Sequence, residues 1–122
     1  MADRAGTRIS FEVEDEYLRV TIAGTYPSDT IRDLLLAIRS KAEECARTRV
    51  LLDAWSLSPP PLDFDRFVLG ETAAEIFRSR YRVAVVYRPE LINKFAENVA
   101  ANRGATVLVA ASEAEALEWL LR

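Results

Sequence analysis

Arg49-Val50-Leu51-Leu52-Asp53-Ala54-Trp55-Ser56-Leu57-Ser58-Pro59-Pro60-Pro61 begins as a short apolar run, reaches a carboxylate, and continues into an aromatic ring, two serines and three consecutive prolines. A short apolar run without alternation reads as a strand buried on both faces, which belongs inside a parallel sheet covered by helices. The polar groups after it then arrive at the edge of that sheet, where connecting segments carry binding groups. The rest of the chain can be placed around this strand.

Upstream, Ile9, Phe11 and Val13 alternate with Ser10 and Glu12, and Leu18, Val20 and Ile22 alternate with Arg19 and Thr21, around the acidic turn Glu14-Asp15-Glu16. Period-two alternation on both sides of a turn predicts an antiparallel hairpin with one buried face. Gly24-Thr25-Tyr26-Pro27 breaks the second strand, and Ser28 is placed to cap a helix with Asp29 in its first turn. That helix carries Ile31, Leu34, Leu35, Ile38, Ala42 and Cys45 in one stripe.

Downstream, Asp63 is placed to cap a second helix with an inner stripe of Phe64, Phe67, Val68, Ala74 and Phe77. Arg82 to Tyr87 reads as another strand buried on both faces. Pro89 suits a helix first turn, and Leu91, Ile92, Phe95, Ala96, Val99 and Ala100 follow as its inner face up to Gly104 as the left-handed stop. Thr106 to Ala110 is a last strand, and Ser112-Glu113-Ala114-Glu115 is a capping box for a helix buried through Leu117, Leu120 and Leu121. The expected fold is α/β, in the order β-β-α-β-α-β-α-β-α, with a mostly parallel five-stranded sheet and an antiparallel N-terminal edge strand. Residues 1–122 read as a single domain without internal repeats.

Composition narrows the function. Hydrophobic residues make up 50% and charged residues 29% of the 122 residues, an ordinary globular mixture. The apolar runs are too short to span a bilayer, and Met1 to Arg8 has no apolar leader, so the expected location is cytoplasmic. A net charge of −3 argues against a nucleic-acid binder, because neutralising phosphates requires clustered Lys and Arg in excess. The chain has no histidine and one cysteine, which excludes His-based triads, Cys-His pairs and tetrahedral zinc sites built from those ligands. Cys45 reads as a small buried residue in a reducing compartment.

Three stretches resemble the SpoIIAA-like fold: Val50-Leu51-Leu52-Asp53, Phe95 through Gly104, and Glu113 through Leu120. That group includes the STAS domains of anti-sigma-factor antagonists and sulfate transporters and, more distantly, the CRAL-TRIO lipid-binding domains. This chain looks like its bacterial STAS/SEC14-type branch of unknown role. The resemblance implies a non-catalytic regulatory or protein-interaction module, needing no cofactor or metal and acting through an unidentified protein partner. STAS antagonists carry an Asp-Ser-x-Gly phosphorylation turn at the start of the helix after the central strand. Here Pro61-Leu62-Asp63-Phe64-Asp65-Arg66 occupies that place with no serine or glycine.

Given such a sheet, its carboxyl edge gathers Tyr26, Asp53, Trp55, Ser56, Tyr87 and Arg88 as candidate ligand- or partner-binding residues. Tyr26, Trp55 and Tyr87 can wall an apolar cleft for a small amphipathic or anionic, lipid-like ligand, with Arg88 and the helix after Pro89 meeting its negative end. The alternative use of the same edge is docking of a protein on residues 54–63, stiffened by the prolines. Asp53 invites comparison with phosphate-accepting receivers, but the acidic pair and lysine they need are replaced by Gly24-Thr25-Tyr26 and Ala110-Ala111-Ser112. Its expected role is to accept hydrogen bonds from amides of the loop that follows it. Asp53, Asp63, Asp65 and Glu90 match no known Mg²⁺ spacing. The outer strand of the hairpin has an edge that can pair with another copy, allowing a homodimer.

Overall fold

A computed structural model describes residues 6–122; the part of the polar leader before Gly6 lies outside the described residues. The two alternating segments form β1 (Thr7–Val13) and β2 (Leu18–Gly24), paired antiparallel with Ile9 opposite Ile22 and Phe11 opposite Val20. Three crossovers follow. α1 (Ile31–Glu44) leads to β3 (Arg49–Leu57), α2 (Asp63–Phe77) to β4 (Arg82–Val86), and α3 (Phe95–Asn102) to β5 (Thr106–Ala110), after which comes α4 (Glu113–Leu120).

The strands lie in the order β1-β2-β3-β4-β5, and β2 to β5 are parallel. Right-handed crossovers between successive neighbours put their helices on one face. α1 and α2 accordingly share a core with Val20, Ile22, Val50 and Val83, and α3 packs beside them through Ala100 against Ala74 and Val107. α4 lies on the other face, where Ala116 and Leu120 meet Leu51, Ala84, Val86 and Ala110. The two-sided burial of β3 and β4 is the reason their sequences run apolar without alternation. The expected class, element order and antiparallel edge strand are those observed.

Local details differ. Ser28 does not cap α1 but opens a 3-10 turn, Ser28–Thr30, and Thr30 precedes the helix without a side-chain cap. Phe64 points outward rather than into an inner stripe, and α2 instead buries Gly70, Ala73, Ala74, Ile76 and Phe77. The reason is that α2 packs against both α1 and α3, so its buried arc is too wide to read as one stripe. At the α3 contact, a Cβ added to Gly70 would fall 2.5 Å from the Ala96 carbonyl oxygen, so only glycine allows this approach.

Pro89 begins only the 3-10 turn Pro89–Leu91, and α3 starts six residues later, after Lys94 in the left-handed region at φ 64°. Gly104 does end α3 as expected, at φ +92°. In the last capping box, Ser112 Oγ accepts from the Glu115 amide at 3.2 Å, while Glu115 reaches the Ala111 amide rather than that of Ser112.

Candidate functional site

β2 continues straight beside β3, but β3 carries one extra residue. Thr21 faces Asp53 and Ala23 faces Ser56, so β3 advances three positions where β2 advances two, forming a bulge. Asp53 Oδ1 accepts from the Trp55 amide at 3.0 Å inside that bulge. This is a local side-chain bond of the kind expected of Asp53, made within the strand rather than in the loop after it. The bulge lets Trp55 and Ser56 be exposed one after the other, while Ala54 and Leu57 return to the core. It also carries β3 on to Leu57, so only residues 58–62 remain as loop.

The six sequence-assigned residues therefore do not form one cleft. Asp53 follows Leu51 on the α4 face of the sheet by strand alternation and Trp55 is exposed within the bulge, whereas Tyr26 and Tyr87 are buried in the core on the other face. Burial pushes the Tyr26 phenol well above its ordinary range, Asp65 and Tyr87 push it the same way, and Arg66 opposes them. The Tyr87 hydroxyl is buried without a hydrogen-bond partner among the described residues.

The basic groups at this edge hold loops together. Arg88 Nη2 donates to the Leu57 carbonyl at 2.9 Å, while its Nε is buried without a hydrogen-bond partner among the described residues. Arg66 donates to the carbonyls of Pro61 at 3.2 Å and Leu91 at 3.0 Å and to Asn93 Oδ1 at 3.3 Å, so one side chain joins the starts of α2 and α3. Asn93 Oδ1 also accepts from the Phe95 amide.

Every helix begins at this carboxyl edge, and each brings its own carboxylate: Asp33 in α1, Asp63 and Asp65 in α2, Glu97 in α3, Glu113 and Glu115 in α4. These charges compensate the positive ends of the helix dipoles. The opposite edge collects Arg47, Arg78, Arg80 and Arg103 after the helix ends. The carboxyl edge is thus acidic as well as apolar, an arrangement unfavourable to an anionic ligand.

Sequence reasoning missed the most exposed apolar groups there. Phe64 is 76% exposed and Leu62 75%; Phe95, also unassigned, is 38% exposed, and Trp55, which the sequence did assign, 43%. The available signal was Phe64 lying between Asp63 and Asp65, three residues after the last of three prolines, a poor setting for a core residue.

An apolar cavity of about 100 Å³ lies between the sheet and α1, α2 and α3, with Ile31, Leu52, Leu69, Val85 and Val107 among its walls and Tyr26 and Pro27 toward the carboxyl edge. Small residues are part of its lining: Ala54, Ala73, Ala96 and Ala100. Such small residues leave the volume that larger side chains fill in a close-packed core. Among the described residues no helix is long and apolar enough to cross a membrane.

No family model matches the chain, and no curated protein matches it by sequence. Solved structures do. An anti-sigma factor antagonist from Mycobacterium paratuberculosis is 14% identical and superposes with a TM-score of 0.64 over 95% of each chain. An uncharacterised protein of the DUF3478 family with a SpoIIAA-like fold, from Shewanella loihica, is 23% identical with a TM-score of 0.54 over 98% of each chain. The chain has the SpoIIAA-like fold.

Proposed function

We propose that this protein is a non-catalytic regulatory module that docks another protein through the acidic, apolar patch at the carboxyl edge of its sheet. The observation carrying this reading is the pair Leu62 and Phe64, three-quarters exposed and set among Asp63, Asp65 and the stiff proline segment. Exposed aromatic and aliphatic anchors held on a rigid support are what a docking face needs. The surrounding carboxylates select a partner segment with apolar side chains flanked by Lys or Arg. The similarity in fold to an anti-sigma factor antagonist agrees with such a role.

Two further points support a binding rather than a chemical role. Asp53 and Asp65 bond the Trp55 and Leu62 amides, so these carboxylates serve the backbone. The start of α2 carries permanent charge from Asp63 and Asp65, and docking there does not depend on phosphorylation. Phosphate mapped to the exposed Ser56 or Ser58 in protein from its own cells would contradict that last point.

A second reading rests on the cavity. A small apolar ligand, or the aliphatic end of an amphipathic one, fits a dry space of this kind, since an apolar cavity of about 150 Å³ in another protein takes up benzene or xenon. This places the ligand inside the core and away from Trp55.

Native mass spectrometry of the protein purified from its own cells separates the readings. Docking predicts a stoichiometric protein companion that Phe64→Asp removes, with affinity falling at least about tenfold. Ligand binding predicts a small retained mass that Phe64→Asp leaves in place and Ala73→Val displaces. A companion unaffected by Phe64→Asp would overturn the docking face.

A further inference from the structure

The two edges of the sheet are finished differently. On β5 the Val109 amide donates to Glu97 Oε1 at 2.6 Å, the Val109 carbonyl accepts from Lys94 Nζ, and the two side chains pair at 3.0 Å. An ion pair from the start of α3 thus occupies the outward groups of Val109 on that edge, a way of preventing a further strand from adding. Among the described residues nothing comparable covers β1.

The outward groups of β1 can be identified. Thr25 N donates to Gly6 O at 3.0 Å and Glu14 N to Tyr17 O at 2.9 Å. Even-numbered residues therefore bond β2, and Thr7, Ile9, Phe11 and Val13 turn their amides and carbonyls away from it. Laid antiparallel on itself about Ser10, the strand opposes Thr7 to Val13, Arg8 to Glu12, and Ile9 to Phe11. The parity is correct: odd residues meet odd residues as hydrogen-bonded pairs. Arg8 meets Glu12 as a non-hydrogen-bonded pair, the kind that brings Cα atoms to about 4.5 Å.

Both faces also match. Arg8, Ser10 and Glu12 are exposed on one face, where two symmetric Arg-Glu pairs would form. Ile9 and Phe11 pack on the core side, so pairing extends the apolar core across the seam and covers Val13, which is 49% exposed in the single chain. Shifting the register by two residues either way sets Arg8 or Glu12 against Ser10 and shortens the ladder, and a one-residue shift breaks the hydrogen-bond parity.

We propose that the protein forms a two-fold homodimer by antiparallel pairing of β1 with β1 of a second copy, in the register that opposes Arg8 to Glu12. The two sheets become one, and the two carboxyl edges point in opposite directions, leaving both docking patches open. The proposal stands independently of that docking role.

Sedimentation velocity over a concentration series tests it, with circular dichroism to verify folding of each variant. The expected result is a dimer for the parent chain. Arg8→Glu and Glu12→Arg, each placing like charges opposite one another, weaken dimerisation at least about tenfold, and the double variant Arg8→Glu/Glu12→Arg restores it. A monomeric parent, a dimer indifferent to the single changes, or a double variant as weak as the singles would each overturn the proposal.

Discussion

Asp53 shows how a carboxylate at a sheet edge can serve the strand that carries it. Its bond to the Trp55 amide spans the bulge, and Asp53→Ala is expected to cost about 1 kcal/mol in urea unfolding while Asp53→Asn, which keeps an acceptor, costs less. Ala46 is a residue in a glycine place. It follows α1 at φ 58°, with its own amide bonded to Glu43 O and the Arg47 amide to Ala42 O, a Schellman stop. Ala46→Gly is predicted to raise stability by about 0.5 to 1 kcal/mol, read as a higher melting temperature. The structural role of Asp53 was legible from its position between an apolar run and turn-forming residues. The outward turn of Phe64 was signalled only by its neighbours Asp63 and Asp65, against which an aromatic residue at helical spacing reads as core until the neighbours of the helix are known.

At the scale of elements, the hairpin is tied to α4 through Arg19. Its guanidinium bonds both Glu113 oxygens, at 2.8 and 3.1 Å, and the Tyr17 hydroxyl at 3.1 Å. The Arg19 bond holds the Glu113 carboxyl below its ordinary value of 4.5. A lowered carboxylate stabilises the fold above its unfolded value and loses that contribution as pH falls through its folded one. Glu113→Gln is therefore expected to flatten part of the acid limb of stability below about pH 4.5 and, the side chain being half exposed, to cost no more than about 0.5 kcal/mol at neutral pH. Arg82 plays a similar part at the other end of α4, stacking 4.2 Å from the Trp119 ring centroid and donating to its carbonyl at 2.7 Å. The elements themselves were legible because hydrophobic period separates strands from helices. The boundaries that shifted, at Ser28, Leu57 and Pro89, are where short 3-10 turns and a bulge replace regular caps, and no periodic pattern announces those.

Across the whole molecule, alternation in the first two strands and its absence in the third and fourth already required one edge hairpin and a parallel interior. Right-handed crossovers between neighbouring strands then put α1, α2 and α3 on one face, while the strand order itself is read from the structure. What could not be read was how the carboxyl-edge residues divide between faces, since the β3 bulge moves Trp55 and Ser56 out of step with Tyr26 and Tyr87. The resulting edge is apolar and rich in carboxylates, and Arg66 and Arg88 each donate to loop carbonyls there. The most direct test of the docking account is a photo-crosslinking amino acid placed at Phe64, and for comparison at Ser79 on the opposite edge, in the organism's own cells. The account predicts one protein partner captured from position 64 and not from 79, with capture lost on adding Asp63→Lys and Asp65→Lys. Equal capture from both positions, or none from 64, would contradict it.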